Sequence, residues 1–99
     1  MPAHIVASIR ITDRTEYDKY QAGFMDIFAK YRGELLGVSG APQVIEGAWP
    51  FTRAVLLRFP DDAEARRWYE SPEYQKLSQH RWNGSTGTVI GFEGFPTTA

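Results

Sequence analysis

The chain has 99 residues, which predicts one domain with a modest core, and 14% of them are aromatic. The net charge of −1 argues against a generic nucleic-acid-binding protein, since such proteins usually carry a basic face. There are no cysteines, so disulfides, a thiolate nucleophile and a cysteine-based zinc site are excluded.

Neither a membrane span nor an export signal is predicted. No apolar run approaches the roughly 20 residues that a helix needs to cross a bilayer. Met1-Pro2-Ala3-His4 does not form the basic and then apolar pattern of a signal peptide. We therefore expect a cytoplasmic protein that binds neither membranes nor nucleic acid.

A strand followed by a helix is predicted at the start of the chain. Residues 4–11 alternate between apolar and mixed positions, which is typical of a half-buried strand. Asp13 then precedes Glu16 by three residues, as at the start of many helices. Aromatic residues recur at helical spacing after it, which predicts a helix from about Arg14 to Arg32, ended by Gly33.

The middle of the chain predicts two further strands. Glu34 to Val38 forms a short strand, which Ser39-Gly40-Ala41-Pro42 interrupts. Extended structure is expected to resume over Gln43 to Glu46, as one bent or bulged strand. A turn at Gly47-Ala48-Trp49-Pro50 leads to the third strand, Arg53 to Phe59.

Two short helices are predicted after the third strand. Asp61 and Glu64 form a start signal for the first helix. Ser71-Pro72-Glu73 combines a hydroxyl cap, a proline at the first helical position and an acid in the first turn. We therefore expect one helix to end near Glu70 and another to run from Pro72 to about Gln79.

The last elements are a loop, a strand and a tail. Asn83-Gly84-Ser85 is predicted to be a loop, and Thr86 to Glu93 a strand. Residues 94–99 form a short tail that we expect to be poorly ordered. On the first of the two short helices, Ala65, Trp68 and Tyr69 are expected to face the core.

The order of elements predicts an α+β fold. Strand, helix, strand, strand, helix, strand is the βαββαβ plan of ferredoxin-like proteins. In that plan the helices cover one face of a four-stranded antiparallel sheet. The other face is expected to expose Val6, Ala54 and Leu56, and a second copy of the chain is the simplest cover for it.

The same uncovered face is expected to carry a polar set, Ser8, Arg10 and Arg58. The two arginines need negatively charged partners. Either they pair with acids such as Glu46 and Glu93, or they bind an anion such as a carboxylate.

Several landmarks resemble those of a known family. The most specific is the run from Trp68 to Gln75, which contains Ser71-Pro72-Glu73-Tyr74-Gln75. Weaker ones are Ile11-Thr12-Asp13, Tyr31 before Gly33, Glu46-Gly47 before Trp49, and Phe59-Pro60.

The family is a small bacterial group called domain of unknown function 1330, in the dimeric α+β barrel superfamily. The resemblance extends from about His4 to Gly94. It implies a homodimer whose two sheets pack into a barrel, and no established reaction. The chain departs from the family pattern at His80-Arg81-Trp82, where smaller residues are expected.

The two histidines give little indication of chemistry. They have no H-x-H or H-x-x-x-H spacing, so no metal site is predicted. His4 is expected to be structural. His80 is a weak catalytic candidate, since its charge can change near neutral pH. Haem binding, as in some members of the superfamily, would need His80 as the axial ligand, and no cofactor is expected.

Six aromatic residues are the predicted ligand-binding set. They are Tyr20, Phe24, Trp68, Tyr69, Tyr74 and Trp82. They either line a cleft between the helices and the sheet or fill the core. The first alternative predicts a homodimer that binds a small planar or aromatic metabolite and can be a cofactor-free enzyme. The second predicts a structural or regulatory dimer without a small-molecule substrate.

Overall fold

The computed structural model of the protein describes residues 1–96, which form a four-stranded sheet and three helices. The strands are β1 (Ala3–Ile11), β2 (Glu34–Ser39), β3 (Arg53–Phe59) and β4 (Ser85–Glu93), and the helices are α1 (Arg14–Phe28), α2 (Asp62–Glu70) and α3 (Pro72–Gly84). The sheet is antiparallel with the strand order β2-β3-β1-β4. This is the ferredoxin-like plan, so the predicted α+β fold class is confirmed.

The helices lie on one side of the sheet, and the molecule is only 17 Å across in its thinnest direction. We call the opposite sheet surface the open face. Val6 pairs in register with both Leu56 and Ile90, which places all three on this face. Ile90 and Phe92 are more than half exposed there. The predicted apolar positions of this face, Val6, Ala54 and Leu56, are confirmed.

The two acidic helix starts are confirmed. The Glu16 N–H donates to the Asp13 carboxylate at 3.2 Å, in the first turn of α1. The Glu64 N–H donates to the Asp61 carboxylate at 2.8 Å, at the start of α2. Each bond satisfies a backbone donor that the helix itself cannot satisfy.

The predicted end of α1 at Arg32 is wrong, because the helix ends one turn earlier, at Phe28. The chain then tightens, and the Lys30 N–H donates to the Ile27 carbonyl at 3.0 Å. These tight turns bring Gly33 against the Phe28 ring, where a Cβ would lie 2.5 Å from the ring carbon Cζ. The turn therefore needs the glycine for close approach rather than as a helix cap.

The predicted extended segment over residues 43–46 is also wrong. β2 ends at Ser39, and residues 43–46 do not join the sheet. The Ser39 hydroxyl accepts a hydrogen bond from the Ala41 N–H at 3.1 Å, which turns the chain away from the sheet. A bulge does exist, but it lies inside β2 at Leu36, between the paired positions on either side.

α3 is longer than predicted. It continues past Gln79 to Gly84 and leads directly into β4, so the predicted loop at residues 83–85 is wrong. The Gly84 carbonyl accepts hydrogen bonds from the Thr12 and Asp13 N–H groups, at 2.9 and 3.1 Å. A Cβ at position 84 would lie 2.7 Å from the Tyr17 backbone nitrogen, so only glycine permits this contact.

The break between α2 and α3 is confirmed. α2 ends at Glu70 and α3 begins at Pro72. The buried Ser71 hydroxyl donates to the Trp68 carbonyl at 2.8 Å and accepts from the Tyr74 N–H at 3.2 Å. One side chain thus satisfies the end of one helix and the start of the next.

α2 faces the core with Ala65 and Trp68, as predicted, and both are buried. Tyr69 was expected to do the same, but it is exposed. It lies at the rim of the helical layer beside β4, where it lines a surface groove with Val89.

Two remaining sequence expectations concern the tail and the membrane. The predicted tail lies partly outside the described residues, and at its start the Gly94 N–H donates to the Pro2 carbonyl at 2.8 Å. No helix within residues 1–96 has the length and hydropathy to span a membrane.

The Ser71→Ala substitution should lower the free energy of unfolding by about 0.5–2 kcal/mol, because the cap on α3 is lost. Urea unfolding followed by circular dichroism measures the change. Thr15→Ala, which removes an exposed hydroxyl in α1, is the matched control and should change the value by less than about 0.5 kcal/mol. Equal effects of the two substitutions would show that the Ser71 hydroxyl does not act as a cap.

Candidate ligand-binding site

A cavity of about 120 Å³ lies between the helices and the sheet. Alternate residues of β1 and β3 form an apolar floor, which includes Ile5, Ala7 and Val55. The walls are aromatic and come from all three helices. The wall residues are Tyr17, Tyr20 and Phe24 of α1, Trp68 of α2 and Tyr74 of α3.

The structure brings four of the six predicted ligand-binding residues to this cavity. They are Tyr20, Phe24, Trp68 and Tyr74. Tyr69 and Trp82 lie elsewhere, in the surface groove beside β4, and Trp82 is 47% exposed. That the four residues bind a ligand stays a prediction at this point.

Tyr20 and Tyr74 form a buried hydroxyl pair. Their oxygen atoms are 2.6 Å apart, and both residues are buried. Burial, and after it the neighbouring Tyr74, raises the pKa of Tyr20. The Tyr20 hydroxyl therefore keeps its proton near neutral pH. One hydroxyl donates its hydrogen to the other oxygen, so the second hydroxyl is free to donate to a further acceptor.

The structure adds two arginines that the sequence analysis did not single out for this site, Arg53 and Arg81. The Arg81 guanidinium lies 5.6 Å from the centre of the Tyr20 ring, and that of Arg53 lies 5.9 Å from the centre of the Tyr17 ring. Arg81 is only 8% exposed.

A sequence signal for both arginines exists. Arg53 occupies an inward position of β3, in alternation with Val55 and Leu57. Arg81 follows Tyr74 by seven residues, which places the two on one side of α3. A charged residue at an apolar position of a periodic pattern is the signal to look for.

Both arginine charges act on the same tyrosine. Burial raises the pKa of Tyr17, and the positive charges of Arg53 and then Arg81 oppose this rise. The Tyr17 and Tyr20 rings are also in contact, with centroids 5.6 Å apart. The two guanidinium groups and two of the tyrosines therefore share one end of the cavity.

His80, the weak catalytic candidate, is not part of this cavity lining. Its Nδ1 lies 2.6 Å from a carboxylate oxygen of Glu16, so the pair joins α3 to α1. The hydrogen bond from His80, followed by that from Lys19, lowers the pKa of Glu16. Since α3 continues beyond Gln79, His80 also lies farther from the helix end than expected.

The polar set predicted for the open face has a different partner than expected. Arg58 forms an ion pair within the chain, with Glu34 at 2.7 Å rather than with Glu46 or Glu93. Pairing with those two acids across a dimer stays a prediction. The other two polar residues of the set, Ser8 and Arg10, lie on β1 on the same face. Within residues 1–96, no group of three or more potential ligands could hold a metal ion.

Comparison at the family level decides the relationship. Residues 2–95 match a family described as Domain of unknown function (DUF1330). The chain belongs to this family. The resemblance seen in the sequence is therefore confirmed, and a comparison with curated proteins gives no match.

Solved structures share the fold of this DUF1330 chain at low identity. SnoaB, a cofactor-independent oxygenase from Streptomyces nogalater, has a TM-score of 0.70 at 14% identity, covering 97% of this chain and 95% of that chain. A hydroxynitrile lyase from Passiflora edulis has a TM-score of 0.71 at 18% identity, with coverages of 96% and 97%. A dimeric ferredoxin-like protein of unknown function from Thermobifida fusca has a TM-score of 0.65 at 14% identity, with coverages of 93% and 90%. At these identities the likeness shows the fold alone.

The buried hydroxyl pair predicts a non-additive effect on stability. Tyr20→Phe and Tyr74→Phe should each lower the free energy of unfolding by about 1–3 kcal/mol, because each leaves one hydroxyl buried without its partner. The double variant should lose less than the sum, since both polar groups are then gone.

Urea unfolding of the two single variants and the double variant measures this coupling. Thr15→Ala, which removes an exposed hydroxyl in α1, is the control, and it should change the value by less than about 0.5 kcal/mol. Additive effects of the two buried substitutions would contradict the pairing.

Proposed function

We propose that the protein binds a small planar or aromatic metabolite in the cavity between the helices and the sheet. The observation that carries this proposal is an aromatic cavity with several polar groups directed at one end. Apolar walls with a few convergent polar groups are typical of small-molecule sites. A cavity of about 150 Å³ in another protein holds benzene, so about 120 Å³ suits a ligand with a single ring.

We further propose that the protein acts on an enol-like ligand without a cofactor. The hydroxyl pair of Tyr20 and Tyr74 has one proton free to donate, and the raised pKa of Tyr20 keeps that hydroxyl a neutral hydrogen-bond donor. An enolate oxygen placed against the pair would receive that hydrogen bond, which would stabilise its negative charge while the tyrosine keeps its proton. Among proteins of this fold, one is a cofactor-independent oxygenase and another a hydroxynitrile lyase, which is compatible with this proposal.

We also propose that two copies associate through their open faces. Leu56, Ile90 and Phe92 are all exposed on that face, and the helices cover the other side of the sheet. A closed two-fold contact would remove this apolar surface from water. A solved protein of this fold is described as dimeric, which supports association of two copies here.

The main test uses Trp68 as a reporter, because it is buried and lines the cavity. In a Trp49→Phe/Trp82→Phe variant, Trp68 is the only tryptophan, so excitation that is selective for tryptophan reports on it alone. Its fluorescence should change on titration with at least one compound from a panel of phenols, lactones and quinones, and the melting temperature should rise.

Ala7→Leu in the same variant is the matched control. Ala7 lies in the cavity floor, so the larger side chain should fill the site and abolish the response. If no compound at millimolar concentration changes the fluorescence or the melting temperature, the binding proposal fails. The alternative of a structural or regulatory dimer would then be adopted.

Sedimentation at micromolar concentration tests the dimer. The protein should sediment with twice the 11.2 kDa chain mass. An interface of about 1,200–2,000 Å² in total is the usual size for a stable complex, and we expect at least this size here. Ile90→Lys on the open face should shift it to the monomer. Ala22→Lys, at an exposed position of α1, should leave it dimeric. An unaltered protein that sediments only as a monomer would contradict the proposal.

A further inference from the structure

We infer that the ligand is a planar organic anion, an aryl carboxylate, and that Arg53 and Arg81 bind its charged group. This inference rests on the proposed function, since it names the chemical class of ligand for the same cavity. It is carried by unpaired polar atoms, by charge and by geometry.

The unpaired polar atoms of the protein are concentrated at this cavity. Within residues 1–96, seven buried side-chain nitrogen or oxygen atoms have no hydrogen-bond partner. Five of the seven belong to residues that line the cavity: Gln21 Oε1, Arg53 Nε, Trp68 Nε1, Arg81 Nε and Arg81 Nη2. Buried polar groups are normally paired, so such a concentration indicates a site for a bound partner. Four of the five are donors, so that partner must be an acceptor.

The charge of the lining also favours an anion. The lining residues within the described chain include two arginines and no aspartate, glutamate, lysine or histidine. A guanidinium group does not lose its proton in proteins, and a buried charge normally has a counter-charge. By contrast, Arg14, Arg58, Arg66 and Arg67 all form ion pairs with carboxylates of this chain. The counter-charge for Arg53 and Arg81 is therefore expected from the ligand.

The geometry suits a carboxylate. Arg81 lies against the Tyr20 ring and Arg53 against the Tyr17 ring, and those two rings touch. The two guanidinium groups thus approach the same end of the cavity, where a planar carboxylate can accept two parallel hydrogen bonds from the N–H groups of one guanidinium. The free proton of the tyrosine pair can supply a further bond. The apolar floor and the Phe24 and Trp68 rings then hold the ring of the ligand.

Three ring compounds of nearly equal shape test the charge requirement. Benzoate, benzamide and benzamidine at neutral pH are anionic, neutral and cationic. Each is titrated into the Trp49→Phe/Trp82→Phe protein, with Trp68 fluorescence and melting temperature as the readouts. Benzoate should bind at least about tenfold more tightly than benzamide, because it adds charge-assisted hydrogen bonds. Benzamidine should not bind.

Substitution of the arginines tests their role. Arg81→Met and Arg53→Met keep much of the side-chain volume and remove the charge. Each should weaken benzoate binding at least about tenfold and remove the preference for benzoate over benzamide. Arg14→Met, an exposed arginine of α1, is the matched control and should leave both affinities unchanged.

A second readout separates binding from folding. Without ligand, Arg81→Met should melt at the same or a higher temperature, because a buried charge that has no counter-charge within the described residues is replaced by an apolar group. A lower melting temperature together with unchanged benzoate affinity would overturn the inference, since Arg81 would then support the fold instead. If Arg81→Met fails to fold, Arg53→Met and the comparison of the three compounds still show whether the site requires an anion.

The outcomes for the two proposals differ. If benzamide binds as tightly as benzoate, the anion inference is wrong and the proposed binding function stands. If neither compound nor any member of the neutral panel binds, the proposed function itself fails. A preference for benzoate that Arg53→Met and Arg81→Met leave intact would also overturn the inference.

Discussion

The packing of the Trp68 indole ring is the contact on which both the core and the cavity depend. Its ring centroid lies 5.7 Å from that of Phe28 in α1, 5.3 Å from Phe59 in β3 and 4.3 Å from Tyr74 in α3. One side chain of α2 thus joins the two other helices and the sheet. The same side chain also forms part of the cavity wall, so core packing and cavity shape cannot be changed independently here.

Local signals in the sequence were sufficient to predict where the three helices begin. Asp13, Asp61 and Ser71 cap their helices with their own side chains, and such caps depend on residues a few positions apart. The end of α3 could not be predicted in this way. It depends on the Gly84 carbonyl, which bonds to backbone groups about 70 positions earlier in the chain, at Thr12 and Asp13.

The aromatic half of the candidate site was predictable, and the charged half was missed. The concentration of aromatic residues on the helices predicted a cleft lined by Tyr20, Phe24, Trp68 and Tyr74, and the structure brings these four to the cavity. Trp82 lies outside this cavity because consecutive helical residues point about 100° apart, so the inward position of Arg81 turns its neighbour outward. Arginines are mostly exposed in proteins, so their identity alone did not indicate that Arg53 and Arg81 line the cavity. These two charges distinguish the cavity from an ordinary apolar core.

The break at Ser71 also has a consequence for which side chains can meet. In a continuous helix, residues six positions apart are about 9 Å apart along the axis and point about 120° away from each other. Trp68 and Tyr74 are six positions apart, yet their ring centroids are 4.3 Å apart. The change of direction between α2 and α3 is what allows this contact. A substitution that made this segment one continuous helix would therefore separate the two rings and disrupt the aromatic wall. Pro72 prevents this, because the residue before a proline disfavours the helical conformation.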